Sequence, residues 1–431
     1  MRISFSLFGV AKVVGFNLTS SLFVRVASPA FQWLASGNLI RLTSVMTDDL
    51  FLEDMERRAF RFFFDTAHPH TGLIPDRAKA DGSKPGDMAS IASVGFGLTA
   101  LVIGAERGWE SRAECRACAE RVLRTLWRDV PHERGFFFHF VDRRTCTRAW
   151  NCEASSIDTA LAVFGALSAG RYFGGAVAEL AQAIEARVDW PWLVDDGGRI
   201  RHGWTPEHGL MPYTWDQYSE HYGMTWFAVH SATRRAPAST WNSWRRTPWV
   251  NYAGERFLQH PPLFVHQFPQ AWMDWRSYTD AASGINFFAN ACAATRAQKQ
   301  FCLDLRERFP SYAANVWGLT SADGAAGYVD WGGPPVSVGE VDTRIDGTVV
   351  PCAAAGSLPF VPGDCLAALR ELHARWGDKI YGPYGFADAF NPQTGWIGTD
   401  VIGIDQGITL LMAENLRTGL VWRLMEPWRP Q

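Results

Sequence analysis

SIASVGFGLTALVIGA (90–105) contains no charged residue, and SRAECRACAERVLRTLWRDV (111–130), which follows it after five residues, is charged along one face. Both have helical length and spacing. A helix apolar all round must be covered on every side, whereas one with a single apolar stripe faces water on the other. The same pair of types recurs along the chain. FLEDMERRAFRFFF (51–64), GAVAELAQAIEARV (175–188) and DCLAALRELHARWGD (364–378) are amphipathic. SSIDTALAVFGAL (155–167), YSEHYGMTWFAVHSA (218–232), GINFFANACAAT (284–295) and IDQGITLLMAENL (404–416) are apolar nearly throughout. Alternation of covered and half-covered helices predicts an all-α, double-layered toroid, an (α/α)6 barrel with inner helices wrapped by outer ones.

The 431 residues, 47% of them hydrophobic, are enough for one such barrel as a single domain over 46–431, with long Gly/Pro/aromatic segments as rim loops. Residues 1–45 are apolar and Ser-rich. Two readings stand: a weak secretory signal, which places the protein in the periplasm or outside the cell, or an extension ahead of a true start at Met46, which places it in the cytoplasm. No apolar run reaches the roughly 20 residues of a membrane span. A formal net charge of −3 gives no case for nucleic acid or an anionic membrane as partner. The eight cysteines show no zinc-type spacing and read as free thiols, so neither metal nor cofactor is expected. GFGLTA (95–100) matches a dinucleotide fingerprint only in letters, because it lies inside an apolar helix. Oligomeric state leaves no trace in the sequence.

Twenty tryptophans suit both a large core and a sugar-binding cleft, where indole faces stack on pyranose rings. Acids then stand out at the front ends of the apolar helices. Glu153 and Asp158 open one and Asp405 another, Glu220 falls in the expected first turn of the 218–232 helix, and Asp274 sits among Trp272, Trp275 and Tyr278. Helix N-termini attract acids for purely structural reasons, and Ser155 with Asp158 resembles a capping box. Glu220 is harder to explain that way. With Met224 and Phe227 on its helix face, its carboxyl should be partly buried, its pKa raised, and its chemistry that of a general acid. A protonated and an ionised carboxylate across an aromatic cleft are the minimum for glycoside hydrolysis.

The motifs TGLIPDR, SIASVGFGLTALVIGAERGW, GFFFHFVD, SSIDTAL, YSE, PPLFVHQFPQAWMDWR, WGLTSADG, YGPYGFADAFN and GIDQGITLLMAENLRTGLVW occur in this order over about 51–426. Together they resemble the bacterial glucoamylase-like glycoside hydrolases, the group that includes endo-β-1,2-glucanases. The resemblance implies the (α/α)6 barrel, no metal, and cleavage of β-1,2-glucan to sophorose or short oligosaccharides with anomeric inversion. Carried onto this chain, it makes Glu220 the general acid and Glu153 or Asp158 the base or water-orienting group. Asp274 and Asp405 would hold sugar hydroxyls, and His139, Trp204, Tyr218, His266, Gln267, Trp272 and Trp317 would line subsites. EAS in place of the commoner ELS, and PQAWMDW around Asp274, depart from the family pattern. Alternatives are another β-glucoside or transglycosylation on the same barrel, or a glucan-binding protein without catalysis.

Overall fold

The computed structural model describes residues 47–335 and 341–431. The chain divides into a unit of residues 1–47 and one of 48–431, and the second holds everything below. The extension read at 1–45 lies outside the described residues.

Twelve α-helices occur among the described residues: α1 (Asp48–Thr66), α2 (Ile91–Glu106), α3 (Arg112–Arg128), α4 (Ser156–Phe173), α5 (Gly175–Arg187), α6 (Tyr222–His230), α7 (Phe264–Trp272), α8 (Phe287–Asp304), α9 (Pro351–Ala355), α10 (Pro362–Ile380), α11 (Gly403–Arg417) and α12 (Leu420–Leu424). Serine caps start three of them. Ser90, Ser111 and Ser155 each accept a hydrogen bond from the backbone N–H three residues on, where the first turn leaves donors unpaired.

Burial separates the two layers. In α2, α4, α6, α7, α9 and α11 nearly every residue is covered, whereas α3 buries only a stripe, Cys115, Ala119, Val122, Leu123 and Leu126 among them. The inner helices form a closed ring. α2 packs on α4 and α11, α4 on α6, α6 on α7, and α9 on α11, while Gln267 of α7 donates to Ala353 O of α9. Outside them α1, α3, α5, α8 and α10 alternate in chain order, and a 3-10 turn at Ala238–Asn242 backs α6. The fold is the α/α toroid expected.

α8 corrects one expectation. It starts at Phe287 and exposes Ala289 and Arg296, so it belongs to the outer layer. Its run of alanines has another cause: Ala293, Ala294 and Ala297 are covered from outside by Val250 and Phe257 of the Trp249–Leu258 hairpin.

The glycines of GFGLTA also find their use. α2 and α4 meet backbone to backbone, and a Cβ at Gly165 would lie 2.0 Å from Gly95 O, one at Gly95 2.3 Å from Leu161 O. Neither backbone can yield to a methyl, so Gly165→Ala is expected to cost about 3 kcal/mol, the upper end for overpacking. Chemical denaturation checks this. A parent-like midpoint would show that the two helices are not in contact.

Short strand pairs stitch the rim where inner helices begin. Met88–Ser90 pairs with Phe140–Asp142 and leads into α2; Ala154–Ser155 pairs with Gly203–Thr205 and leads into α4. Arg77–Lys79 pairs with Asp400–Ile402, which leads into α11. The N-terminal ends of inner helices thus share one mouth, tied by loops distant in sequence. No helix among the described residues is long and apolar enough to cross a membrane.

Candidate active site

A cavity of about 570 Å³ opens at that mouth. Its apolar floor comes from α2, α4 and α7 (Ala92, Leu161, Phe268), and its polar wall from Asp76, Arg77, His139, Asp158 and Glu220. Trp150 and Tyr328 stand at its edge, 68% and 50% exposed. Trp150 holds φ +52° and meets the Phe140 ring edge-on at 5.0 Å, a left-handed backbone that a bulky residue rarely adopts without a local demand.

Glu220 does not belong to a helix. α6 begins two residues later, at Tyr222, so the i+4 and i+7 argument from Met224 and Phe227 fails. The carboxyl is enclosed by a turn instead. Ser219 donates a hydrogen bond to Glu220 Oε2. Burial pushes the Glu220 pKa above the usual carboxylate range, and the charge of Asp158 adds to the rise. The Ser219 hydrogen bond and the His260 charge pull the other way without cancelling it.

Asp158 caps and faces the cavity at once. It receives Ser155 Oγ–H at 2.5 Å while its own backbone N–H returns to Ser155 Oγ. His139 ties it to Glu153: Nδ1 lies 3.2 Å from Glu153 Oε1 and Nε2 3.4 Å from Asp158 Oδ1. The ring stacks on Phe140 at 4.0 Å. Burial alone would strip the imidazole of its charge, yet the Asp158 charge and the Glu153 hydrogen bond raise its pKa to about 9. Burial likewise pushes Glu153 up, but the His139 hydrogen bond outweighs it and holds that carboxyl below its usual range. For Asp158 burial wins over His139 and Ser155, and its pKa is raised. The three groups titrate as a unit with a proton on His139. Their ligand atoms lie within 4.8 Å of one another, so a cation there would have to displace the His139 proton.

Asp76 and Arg77 escaped sequence reasoning. Arg77 pairs with Asp76 and Asp323 at 3.0 Å each and approaches Asp400 at 3.8 Å. They lie in TGLIPDR, a stretch that the family pattern singled out without giving either residue a role.

The structure places several of the expected sugar contacts outside the cavity lining. Asp274 follows the C-terminal end of α7, whereas Phe264 at the start of that helix lines the cavity; nine residues of helix separate them by about 13 Å. There Asp274 pairs with Arg276 at 2.8 Å and approaches Arg429 at 3.9 Å. Tyr218, His266, Gln267, Trp272 and Trp317 are all fully buried. Tyr218 Oη meets His266 Nδ1 at 2.7 Å, and Trp272 donates to Thr99 Oγ1 at 2.9 Å with its ring 4.7 Å from Phe96. Trp204 packs on Trp192 and Phe138 and is absent from the cavity lining. Asp405 lies in a small pocket with Asp388 and Cys352, where burial raises its pKa to about 6 and that of Asp388 further, and its charge still acts on Asp76 and Tyr328 of the main cavity. Tyr218, His266, Gln267, Trp272 and Trp317 thus present no exposed surface to a sugar in this structure. Tryptophan and acids at helix ends serve packing and charge pairing as well as they serve ligands, and the sequence pattern is the same for both.

The Glycoamylase family model, described as "Putative glucoamylase", matches residues 212–428, half of the chain. The chain belongs to the Glycoamylase family. The matched part carries Glu220 and every helix from α6 on, while Asp76, His139, Glu153 and Asp158 precede it. Wider likenesses reach these residues too. An exo beta-1,2-glucooligosaccharide sophorohydrolase (non-reducing end) of Parabacteroides distasonis is 26% identical over 432 residues, covering 89% of this Glycoamylase-family chain and 57% of that protein. The chain thus spans little more than half the length of that curated relative. A solved structure from Bacteroides fragilis with the same glucoamylase description is 27% identical, with a TM-score of 0.80 over 88% of this chain and 94% of its own. An endo-beta-1,2-glucanase from Chitinophaga pinensis, solved with sophorotriose and glucose, shares the fold at 23% identity and a TM-score of 0.81, over 88% and 95% of the two chains. All eight cysteines of this family member are free.

Proposed function

We propose that this Glycoamylase-family protein is an inverting glycoside hydrolase that cleaves β-1,2-glucan to sophorose or short oligosaccharides. One observation carries the chemistry: a carboxyl raised by burial, Glu220, shares a cavity with Asp158, which is hydrogen-bonded and faced by an imidazolium. The linkage rests on the likeness to the Parabacteroides sophorohydrolase and the Chitinophaga glucanase. Glu220 gives its proton to the bridging oxygen as the anomeric C–O bond breaks. A water attacks the anomeric carbon from the opposite face and passes a proton to Asp158, so that one displacement inverts the centre. Glu153 acts through His139, whose positive charge favours the ionised form of Asp158 before attack. Trp150 and Tyr328 offer apolar faces to pyranose rings at the edge.

A panel of α- and β-linked glucans tests this, with products separated by chromatography and the first-formed anomer followed by NMR. Turnover is expected on β-1,2-linked chains, with the α-anomer appearing first. Release from an α-glucan, a β-anomer first, or calorimetric binding of β-1,2-glucan without hydrolysis would each overturn the reading.

A further inference from the structure

Trp150 is 68% exposed at the edge of the active-site cavity, so packing alone holds it weakly. Its segment is pinned at both ends on Phe140: Ala149 N donates to Phe140 O at 3.0 Å, and Phe140 N donates to Cys152 Sγ at 3.2 Å. Between these ends Trp150 and Asn151 both hold φ +52°. Asparagine adopts left-handed backbone readily, but tryptophan does so rarely, and a consecutive pair needs a restraint.

Arg148 supplies it. Its Nε donates to Cys152 O and its Nη2 to Asn151 O, both at 2.6 Å, so one guanidinium takes the carbonyls of the two residues that follow the indole. Nη1 and Nη2 also grip Glu207 Oε1 at 2.6 Å and Oε2 at 3.0 Å. The guanidinium lies 4.9 Å over the Phe138 ring, and Phe138 bridges Ala154 at the entry to α4. Glu207 sits in the turn after Gly203–Thr205, the strand that pairs with Ala154–Ser155. The Trp150 segment is thereby tied to the rim from which α4 and Asp158 start. Only a guanidinium offers its donors in a fixed planar fork that can serve two carbonyls and a carboxylate together. Neither Arg148 nor Glu207 lines the active-site cavity.

We infer that Arg148 and Glu207 are positioning residues, a latch that holds Trp150 over the mouth of the cavity and sets affinity for the glucan without taking part in bond cleavage. This rests on the hydrolase reading above, in which Trp150 offers its face to a pyranose ring.

The test is a double-mutant cycle in the full chain. Arg148→Met keeps the stem and removes the fork. It is expected to raise KM for β-1,2-glucan about tenfold, the worth of one aromatic contact, with kcat within about twofold of the parent. Arg148→Lys should recover little of the loss. Glu207→Ala, at an exposed position, leaves both carbonyl bonds in place and should raise KM about threefold. In a Trp150→Ala background both effects should vanish, because residues that act through one another are not additive. The Kd of sophorotriose, measured by calorimetry, gives the same cycle without needing turnover. Equal effects with and without the indole, a parent-like KM in Arg148→Met or Trp150→Ala, or a lowered kcat with a displaced acidic pH limb in Arg148→Met would overturn the assignment while the hydrolase reading stands. The last of these would place the effect of Arg148 on Glu153, the residue after Cys152. If the parent binds sophorotriose but cleaves no glucan, the hydrolase reading falls and the Kd cycle still decides the latch. If it does neither, both fall.

Discussion

Glu220→Gln is expected to lower turnover of β-1,2-glucan by about 10³–10⁴-fold, the upper range for loss of one proton-transfer group. Glutamine keeps the size and the hydrogen-bonding reach of the side chain, so the acceptor for Ser219 survives and the turn before α6 should hold. What disappears is the proton. A sugar alkoxide is a poor leaving group and needs that proton as the bond breaks, whereas fluoride does not. The loss on the β-fluoride of sophorose should therefore be much smaller than on the glucan. Equal losses on the two would mean that Glu220 positions substrate instead of protonating it, and parent-like turnover of the glucan would remove Glu220 from the mechanism.

The pH profile of kcat/KM gives the same variant a second readout. Burial raises the Glu220 pKa, so the acid stays protonated to higher pH than an exposed glutamate, and activity should fall as pH rises through that value. The acidic limb belongs to the unit of His139, Glu153 and Asp158, which loses its ionised carboxylates as pH falls. In Glu220→Gln the basic limb should vanish from the residual activity while the acidic limb remains.

The layering of the fold was legible because it depends on local patterns. A chargeless run such as 90–105 can only be an inner helix, and the stripe in 111–130 can only be an outer one. α8 misled because a hairpin covers it from outside, and that pairing is not encoded in the helix itself. The site was legible in part for a similar reason. Asp158 and Glu153 announce themselves at the start of α4; His139 was expected only as a subsite residue, and its place between them comes from the rim pairing of His139 N with Glu153 O. Asp76 and Arg77 reach the cavity because Arg77–Lys79 pairs with Asp400–Ile402, a contact spanning most of the chain. The buried tryptophans show the opposite error. Trp272 has the composition of a sugar platform and the position of a core residue, and only burial separates the two.

At the other end of the barrel, Arg417→Met is expected to destabilise the protein by about 3–5 kcal/mol at pH 8 and above, where it strips a partner from a buried charge. Arg417, in the last turn of α11, reaches Glu53 of α1 at 2.9 Å and also bonds Glu56, which has no exposed surface. Arg107, just past α2, joins Glu414 at 2.7 Å but stands 3.9 Å from Glu56 and cannot replace Arg417. This cluster ties the outer helix α1 to the inner helix α11. Burial pushes the Glu56 pKa to about 8 even with Arg417 in place, and Glu414 adds to the rise. A carboxyl whose folded pKa exceeds its unfolded value binds more protons when folded, so stability falls as pH rises between the two, here from about 4.5 towards 8. Loss of Arg417 raises the folded value further, so the variant should lose less at pH 5 than at pH 8. Chemical denaturation at both values decides it, and an equal loss at both would mean that Glu56 is not the group left uncompensated. Adding Glu56→Met to Arg417→Met removes the orphaned charge and should recover much of the stability, since an apolar pair in place of a buried ion pair is often neutral. A double variant no more stable than the single one would place the cost of Arg417→Met in lost contacts with Glu53 and the packing of its stem.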